Sequence, residues 1–123
     1  MIFWHSLTGY QTEDGDILSP ATSLEHEFDH SIARVYDTEK FYKRKKAGLK
    51  NYTDQEEYRV ITGSETKTAR ANGEISKSKP QTRYSHVNGT FVPVMSPSSN
   101  QIRNTKERSS KNEITKGLYN YGN

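Results

Sequence analysis

Large apolar side chains are scarce in this chain, and that scarcity limits what it can fold into. Leu, Ile, Val and Phe number 21 of 123 residues, about 17 %, below the ~20 % at which disorder becomes a fair expectation. The formal net charge is only +3, too small for charge-driven disorder. Together these predict one small core with polar flanks, and they exclude a multidomain enzyme. No apolar run approaches the ~20 residues needed to cross a bilayer. The absence of Cys removes disulfides, Cys-based metal sites and a thiol nucleophile. The start, Met1-Ile2-Phe3-Trp4-His5, lacks the basic residues and long apolar stretch of a signal peptide. Export by a machine that needs no such signal is compatible with it. The basic residues gather in Lys40, Lys43, Arg44, Lys45, Lys46 and Lys50, and again in Arg103, Lys106, Arg108, Lys111 and Lys116. Such runs read as solvated faces rather than as a nucleic-acid surface.

Ile2-Phe3-Trp4 favours a strand, and Glu13-Asp14-Gly15-Asp16 is a turn signal. Ser19-Pro20 offers a helix start, with Ser19 as N-cap and the proline preset for the first turn. From there Leu24, Phe28, Ile32 and Val35 recur with helical period and predict an amphipathic helix anchored by that stripe. The basic stretch from Lys40 to Lys50 reads as a loop or frayed helix end. A second helical region follows, capped by Thr53 or Asp54 and interrupted at Gly63-Ser64. Ser64 could cap a further short helix ended by Asn72-Gly73. Asn88-Gly89 between Arg83–Val87 and Thr90–Val94 predicts a β-hairpin with a type I′ turn. The domain is expected to span residues 1–95, with 96–123 a polar, loosely attached tail.

His26-Glu27-Phe28-Asp29-His30 is an H-E-x-x-H pattern on the first predicted helix. With 4 His among 123 residues, it would arise in roughly 1 % of shuffled chains. Two histidines at i and i+4 lie about 40° apart around a helix and one turn apart along it. Both imidazoles can therefore reach one Zn²⁺. In a zinc hydrolase the glutamate beside them takes a proton from water that the metal has acidified. Asp29 or Asp37 could accept the second N–H of a ligating ring and fix its tautomer.

A third ligand must come from elsewhere. The metzincin extension is excluded, because Ala33 and Tyr36 stand where it needs Gly and His. Carboxylates of the second helical region remain, Glu65 first and Glu57 next, with His86 and Asp54 behind them. Arg83, Tyr84 and His86 form a second cluster. A donor there, Tyr84, His86 or Arg83, could stabilise the oxyanion of a tetrahedral intermediate.

Three stretches resemble a known family. Ser19-Pro20-Ala21-Thr22-Ser23-Leu24-Glu25-His26-Glu27-Phe28-Asp29-His30 is similar to the "SPA-x-x-L-x-H-E-L-x-H" block of zincin-type effector and toxin metallopeptidases. These occur at the C-termini of Rhs-type polymorphic toxins and among type III secretion effectors. Glu56-Glu57-Tyr58-Arg59-Val60-Ile61-Thr62-Gly63-Ser64-Glu65 resembles their "E-E-x-R-V-I-x-G-x-E" segment. Thr82-Arg83-Tyr84-Ser85-His86 is similar to the stretch that follows it. The resemblance implies a compact α+β zincin-like domain that binds one zinc and cleaves proteins. It makes His26 and His30 ligands, Glu27 the base, and Glu65 or Glu57 the third ligand. The partners implied are a protein substrate and, for a toxin module, an immunity or carrier protein. The competing expectation is a non-catalytic, zinc-stabilised module that docks on protein or nucleic acid.

Overall fold

The computed structural model describes residues 4–104. Its elements in chain order are β1 (Thr8–Gln11), β2 (Ile17–Leu18), α1 (Pro20–Tyr36), α2 (Thr38–Lys46), β3 (Gly48–Leu49), β4 (Thr53–Asp54), α3 (Gln55–Val60), a π-helical turn (Ile61–Glu65), α4 (Thr66–Ala71) and β5 (Thr90–Pro93). The fold is a small α+β domain, as the sequence predicts. A three-stranded antiparallel sheet runs in the order β2-β1-β5, and β3 pairs with β4.

The first helix begins where expected. Ser19 is the N-cap, its hydroxyl accepts from the Thr22 N–H, and Pro20 opens the helix. Trp4 donates its indole N–H to the Pro20 carbonyl at 2.6 Å, which ties the incoming chain to that start. The packing face, however, is the opposite of the one the apolar stripe predicts. Phe28, Ile32 and Val35 are 45 %, 58 % and 62 % exposed. The buried residues of α1 are Pro20, Thr22, His26 and Ala33. The helix turns its histidines inward because they meet buried carboxylates there: Glu56, Glu57 and Glu65 are all buried. Only eight hydrophobic residues among those described are buried, and Leu18, Ala69 and Ile75 form the compact apolar cluster. The interior is therefore largely a hydrogen-bonded polar one.

Three other expectations are corrected. The basic stretch, read as a loop or frayed helix end, is a regular helix, α2, as far as Lys46, with β3 and a turn after it. Phe41 anchors it, its last turn carries Lys43, Arg44, Lys45 and Lys46 where the helix dipole favours cations, and Arg44 and Lys45 pair with Glu56 and Asp54. The Gly63-Ser64 interruption is absorbed as a π turn instead of breaking the helix. Ser64 caps nothing and donates to Asp29 at 2.5 Å. Asn72-Gly73 does end α4, with Gly73 at φ 73°. Finally, the hairpin lies elsewhere. β5 pairs with β1, Tyr10 opposite Phe91, while Arg83–Gly89 is irregular. The hairpin of this sheet is β1–β2, turned at the predicted Glu13–Asp16 with Gly15 at φ 93°. Gly89 serves close approach rather than a left-handed turn, since a Cβ there would lie 2.4 Å from the Gln11 carbonyl oxygen and 2.5 Å from the Tyr10 ring.

Residues 96–104, assigned by sequence to the tail, fold back on the domain. Ala21 donates its N–H to the Pro97 carbonyl, Arg103 donates to that of Pro93, and Val94 bridges to Ile102. The rest of the expected tail, and most of the strand expected at Ile2–Trp4, lie outside the described residues.

Candidate metal centre

Two helices and one irregular segment bring the site together. The α1 helix supplies His26 and His30, one turn apart. Asp54 caps α3 by accepting the Glu57 N–H at 2.9 Å, which sets Glu56 and Glu57 in the first turn. The π turn then matters for Glu65. In a regular α-helix eight residues advance about 80° beyond two full turns. One residue absorbed by a π turn makes the interval equivalent to about seven, so Glu57 and Glu65 share a face. His86 comes from the irregular segment, with its N–H donated to the Asn51 carbonyl at 2.7 Å.

These side chains converge. His26 Nε2 lies 3.0 Å from Glu57 Oε1, His30 Nε2 3.1 Å and His86 Nε2 3.2 Å from the same oxygen. His26 Nε2 and His30 Nε2 are 3.0 Å apart. The ligating atoms of His26, Glu57 and His86 all lie within 4.8 Å of one another, so this group can hold a metal ion. The outward nitrogen of each ring has its own partner. His26 Nδ1 faces Glu65 Oε1 at 2.7 Å, His30 Nδ1 faces Glu56 Oε2 at 2.7 Å, and His86 Nδ1 faces Thr53 Oγ1 at 2.8 Å. Such outer partners are what orient metal-ligating imidazoles.

The electrostatics ask for positive charge at the centre. Glu56 and Glu65 are each held down at about 2: burial opposes this, but hydrogen bonds from Arg59, Arg44 and His30 on Glu56, and from His26 and Arg83 on Glu65, prevail. Both are therefore acceptors, and Nδ1 of His26 and of His30 carries the proton. If the rings are neutral, two nitrogen lone pairs and the Glu57 carboxylate oxygen face one another. If both are charged, two N–H groups crowd within 3.0 Å. A single cation between them, a proton on one ring or a metal ion, resolves either conflict. Burial works against a charged His26, yet its bonds to Glu57 and Glu65 outweigh that and raise it to about 9. His30 is raised in the same way, against burial, by Glu57 and Glu56. Glu57 is depressed despite its burial by the two histidines bonded to it. His86 is lowered, first by burial and further by Arg83 and His26.

The sequence expectations sort accordingly. His26 and His30 meet as the H-E-x-x-H spacing requires. Glu57, the second choice for third ligand, is at the centre. Glu65, the first choice, is on the other side of the His26 ring: its oxygens are bound by Arg83 at 2.7 and 2.9 Å and by the Thr82 hydroxyl at 2.5 Å. It orients the ring instead. His86, weighed both as ligand and as oxyanion donor, has a ring nitrogen among the donors. Tyr84 is 43 % exposed and does not line the cleft described next. Asp54 is a helix cap. Asp29 pairs with Arg59 at 3.0 Å and Asp37 is exposed, so neither supports a histidine. The missed residues are Glu56 and Thr53, whose roles depend on partners 26 and 33 positions away and leave no local pattern.

A cleft of about 900 Å³ opens on the cluster, with His26, Glu27, His86, Arg83, Tyr10 and Phe91 among its walls. Glu27 thus stands beside the donors, and its carboxylate has no ion-pair or hydrogen-bond partner among the described residues. Arg83 stacks over the Tyr10 ring at 4.7 Å, and the Tyr10 hydroxyl accepts the Gly89 N–H and donates to the His86 carbonyl. Among the described residues no helix is long and apolar enough to cross a membrane. No protein-family model, no curated protein and no solved structure matches this chain.

Proposed function

We propose that the chain is a zinc-dependent endopeptidase, of the effector and toxin kind that its sequence resembles. One observation carries this reading: three imidazole nitrogens converge on Glu57 Oε1 at 3.0–3.2 Å, beside a cleft that Glu27 also lines. Donors around an ion at 2.0–2.1 Å stand about 3.3–3.4 Å apart in a tetrahedron; the ligand atoms of His26, Glu57 and His86 lie within 4.8 Å of one another, and three protein donors leave the fourth position to water. The donor set, nitrogen and carboxylate without sulfur, suits zinc. Held by these residues, zinc would supply an acidified water and a polarised carbonyl; Glu27 would take the proton from that water and pass it to the leaving amine. Glu65, Glu56 and Thr53 hold the three rings.

The test is zinc content and peptide hydrolysis of the wild type and of Glu27→Gln, over a broad peptide library. The expected result is one bound zinc in both and hydrolysis in the wild type alone, reduced in the variant by several orders of magnitude. A wild-type protein that takes up no supplied zinc refutes the reading. One observation favours a second reading. His30 Nε2 lies 3.0 Å from His26 Nε2, and with it added to His26, Glu57 and His86 four protein donors would close the site, which is the arrangement of structural zinc. Zinc retained with no peptide cleaved from the whole library would make this a zinc-stabilised binding module.

A further inference from the structure

The β3–β4 hairpin holds two non-glycine residues in the left-handed region, Asn51 in the turn at φ 76° and Thr53 at the start of β4 at φ 71°. Asn enters that region readily. A β-branched residue there is a genuine outlier, because its side chain crowds the neighbouring carbonyl. Thr53 is also exposed, so burial of its methyl group does not account for its place. The hydrogen bond its side chain makes goes to His86 Nδ1, at 2.8 Å. Asn51 acts on the same residue, accepting the His86 N–H at 2.7 Å. The turn therefore grips His86 twice, by backbone and by ring, and leaves Nε2 3.2 Å from Glu57 Oε1. Unfavourable backbone states of this kind persist where surrounding contacts over-determine them, and they gather at functional sites.

We propose that the strained β3–β4 turn is a positioning device for His86, with Thr53 fixing the ring so that Nε2 faces the metal. The proposal rests on the zinc reading of the cluster. Thr53 Oγ1 accepts the Nδ1 proton, which fixes the tautomer and leaves the Nε2 lone pair for the ion. His86 needs this more than the other two rings. His26 and His30 stand on a 17-residue helix and face carboxylates, whereas His86 stands on irregular chain.

The experiment measures zinc affinity by chelator competition, and the thermal midpoint of the metal-free protein, in the full chain. Wild type, Thr53→Val, Thr53→Ser and Thr53→Gly are compared. Thr53→Val keeps the shape and loses the hydroxyl, so zinc affinity falls 10–100-fold. Thr53→Ser keeps the hydroxyl and stays within a few-fold of wild type. Thr53→Gly releases the backbone: the metal-free midpoint rises by a few degrees while zinc affinity falls as in Thr53→Val. Zinc affinity unchanged in Thr53→Val overturns the proposal. So does a Thr53→Gly variant in which midpoint and affinity fall together, since Thr53 would then be a structural residue only. If the wild type binds no zinc, the parent reading falls and takes this one with it.

Discussion

His26 is held from both sides by carboxylates that do different work. Glu57 meets Nε2 and Glu65 meets Nδ1, at 3.0 and 2.7 Å, and only Glu57 also reaches the other two histidines. Replacing each by its amide separates the roles with little change of shape. Glu57→Gln removes the charged central donor, whereas Glu65→Gln weakens an outer support whose loss costs about 10–100-fold in metal affinity. Chelator competition should therefore rank Glu57→Gln below Glu65→Gln in zinc affinity. The reverse order would make Glu65 the ligand. At this scale the sequence was most informative about local chemistry. The H-E-x-x-H spacing is self-contained, because a helix alone brings i and i+4 together. The choice between Glu57 and Glu65 is not, since it depends on which side of an imidazole each carboxylate reaches.

The elements show a different division. The caps at Ser19 and Asp54 and the stop at Asn72-Gly73 act within a few residues, so these helix ends follow from local sequence. The face that α1 buries does not. Leu24, Phe28, Ile32 and Val35 share a stripe of helical period, yet the last three are largely exposed and Ala33 is buried on the histidine side. Periodicity identifies a helix; it cannot tell whether the interior opposite is apolar. Thermal or urea unfolding checks this directly. Ile32→Ala should change stability by about 0.5 kcal/mol or less, as at a surface position. Ile61→Ala, fully buried, should cost about 2–5 kcal/mol. A comparable loss at Ile32 would mean that the stripe is packed. The turn from Arg83 to Gly89 missed its predicted strand for a related reason. Asn-Gly signals a tight turn, but Gly89 is kept small by the Tyr10 ring beneath it, a contact between segments far apart in sequence.

For the whole molecule, the small hydrophobic core leaves much of the burial to charged and polar groups. Glu56, Glu65, Thr22, Thr82 and Ser19 are among the most deeply buried residues. Buried groups of this kind are tolerable only when partnered, and Glu65, Glu57 and Glu56 each face an imidazole nitrogen at 2.7–3.0 Å. On the reading proposed above, zinc bound at this cluster should stabilise the fold. Free zinc at 100-fold above its Kd adds about 2.7 kcal/mol of stability, which for a domain of this size raises Tm on the order of 10 °C. Melts in zinc and in a chelator measure it, and coincident curves would count against a metal at this site. The sequence by itself determined the α+β class, the helix with its H-E-x-x-H pattern, the caps at Ser19 and Asp54 and the stop at Asn72-Gly73, because these rest on interactions within one or two turns. Only the tertiary structure decided that Glu57 is central, that His86 joins it, that Thr53 and Glu56 hold the rings and that the apolar stripe faces outward. Each of those depends on partners more than twenty residues away, brought together by a polar interior that no local pattern encodes.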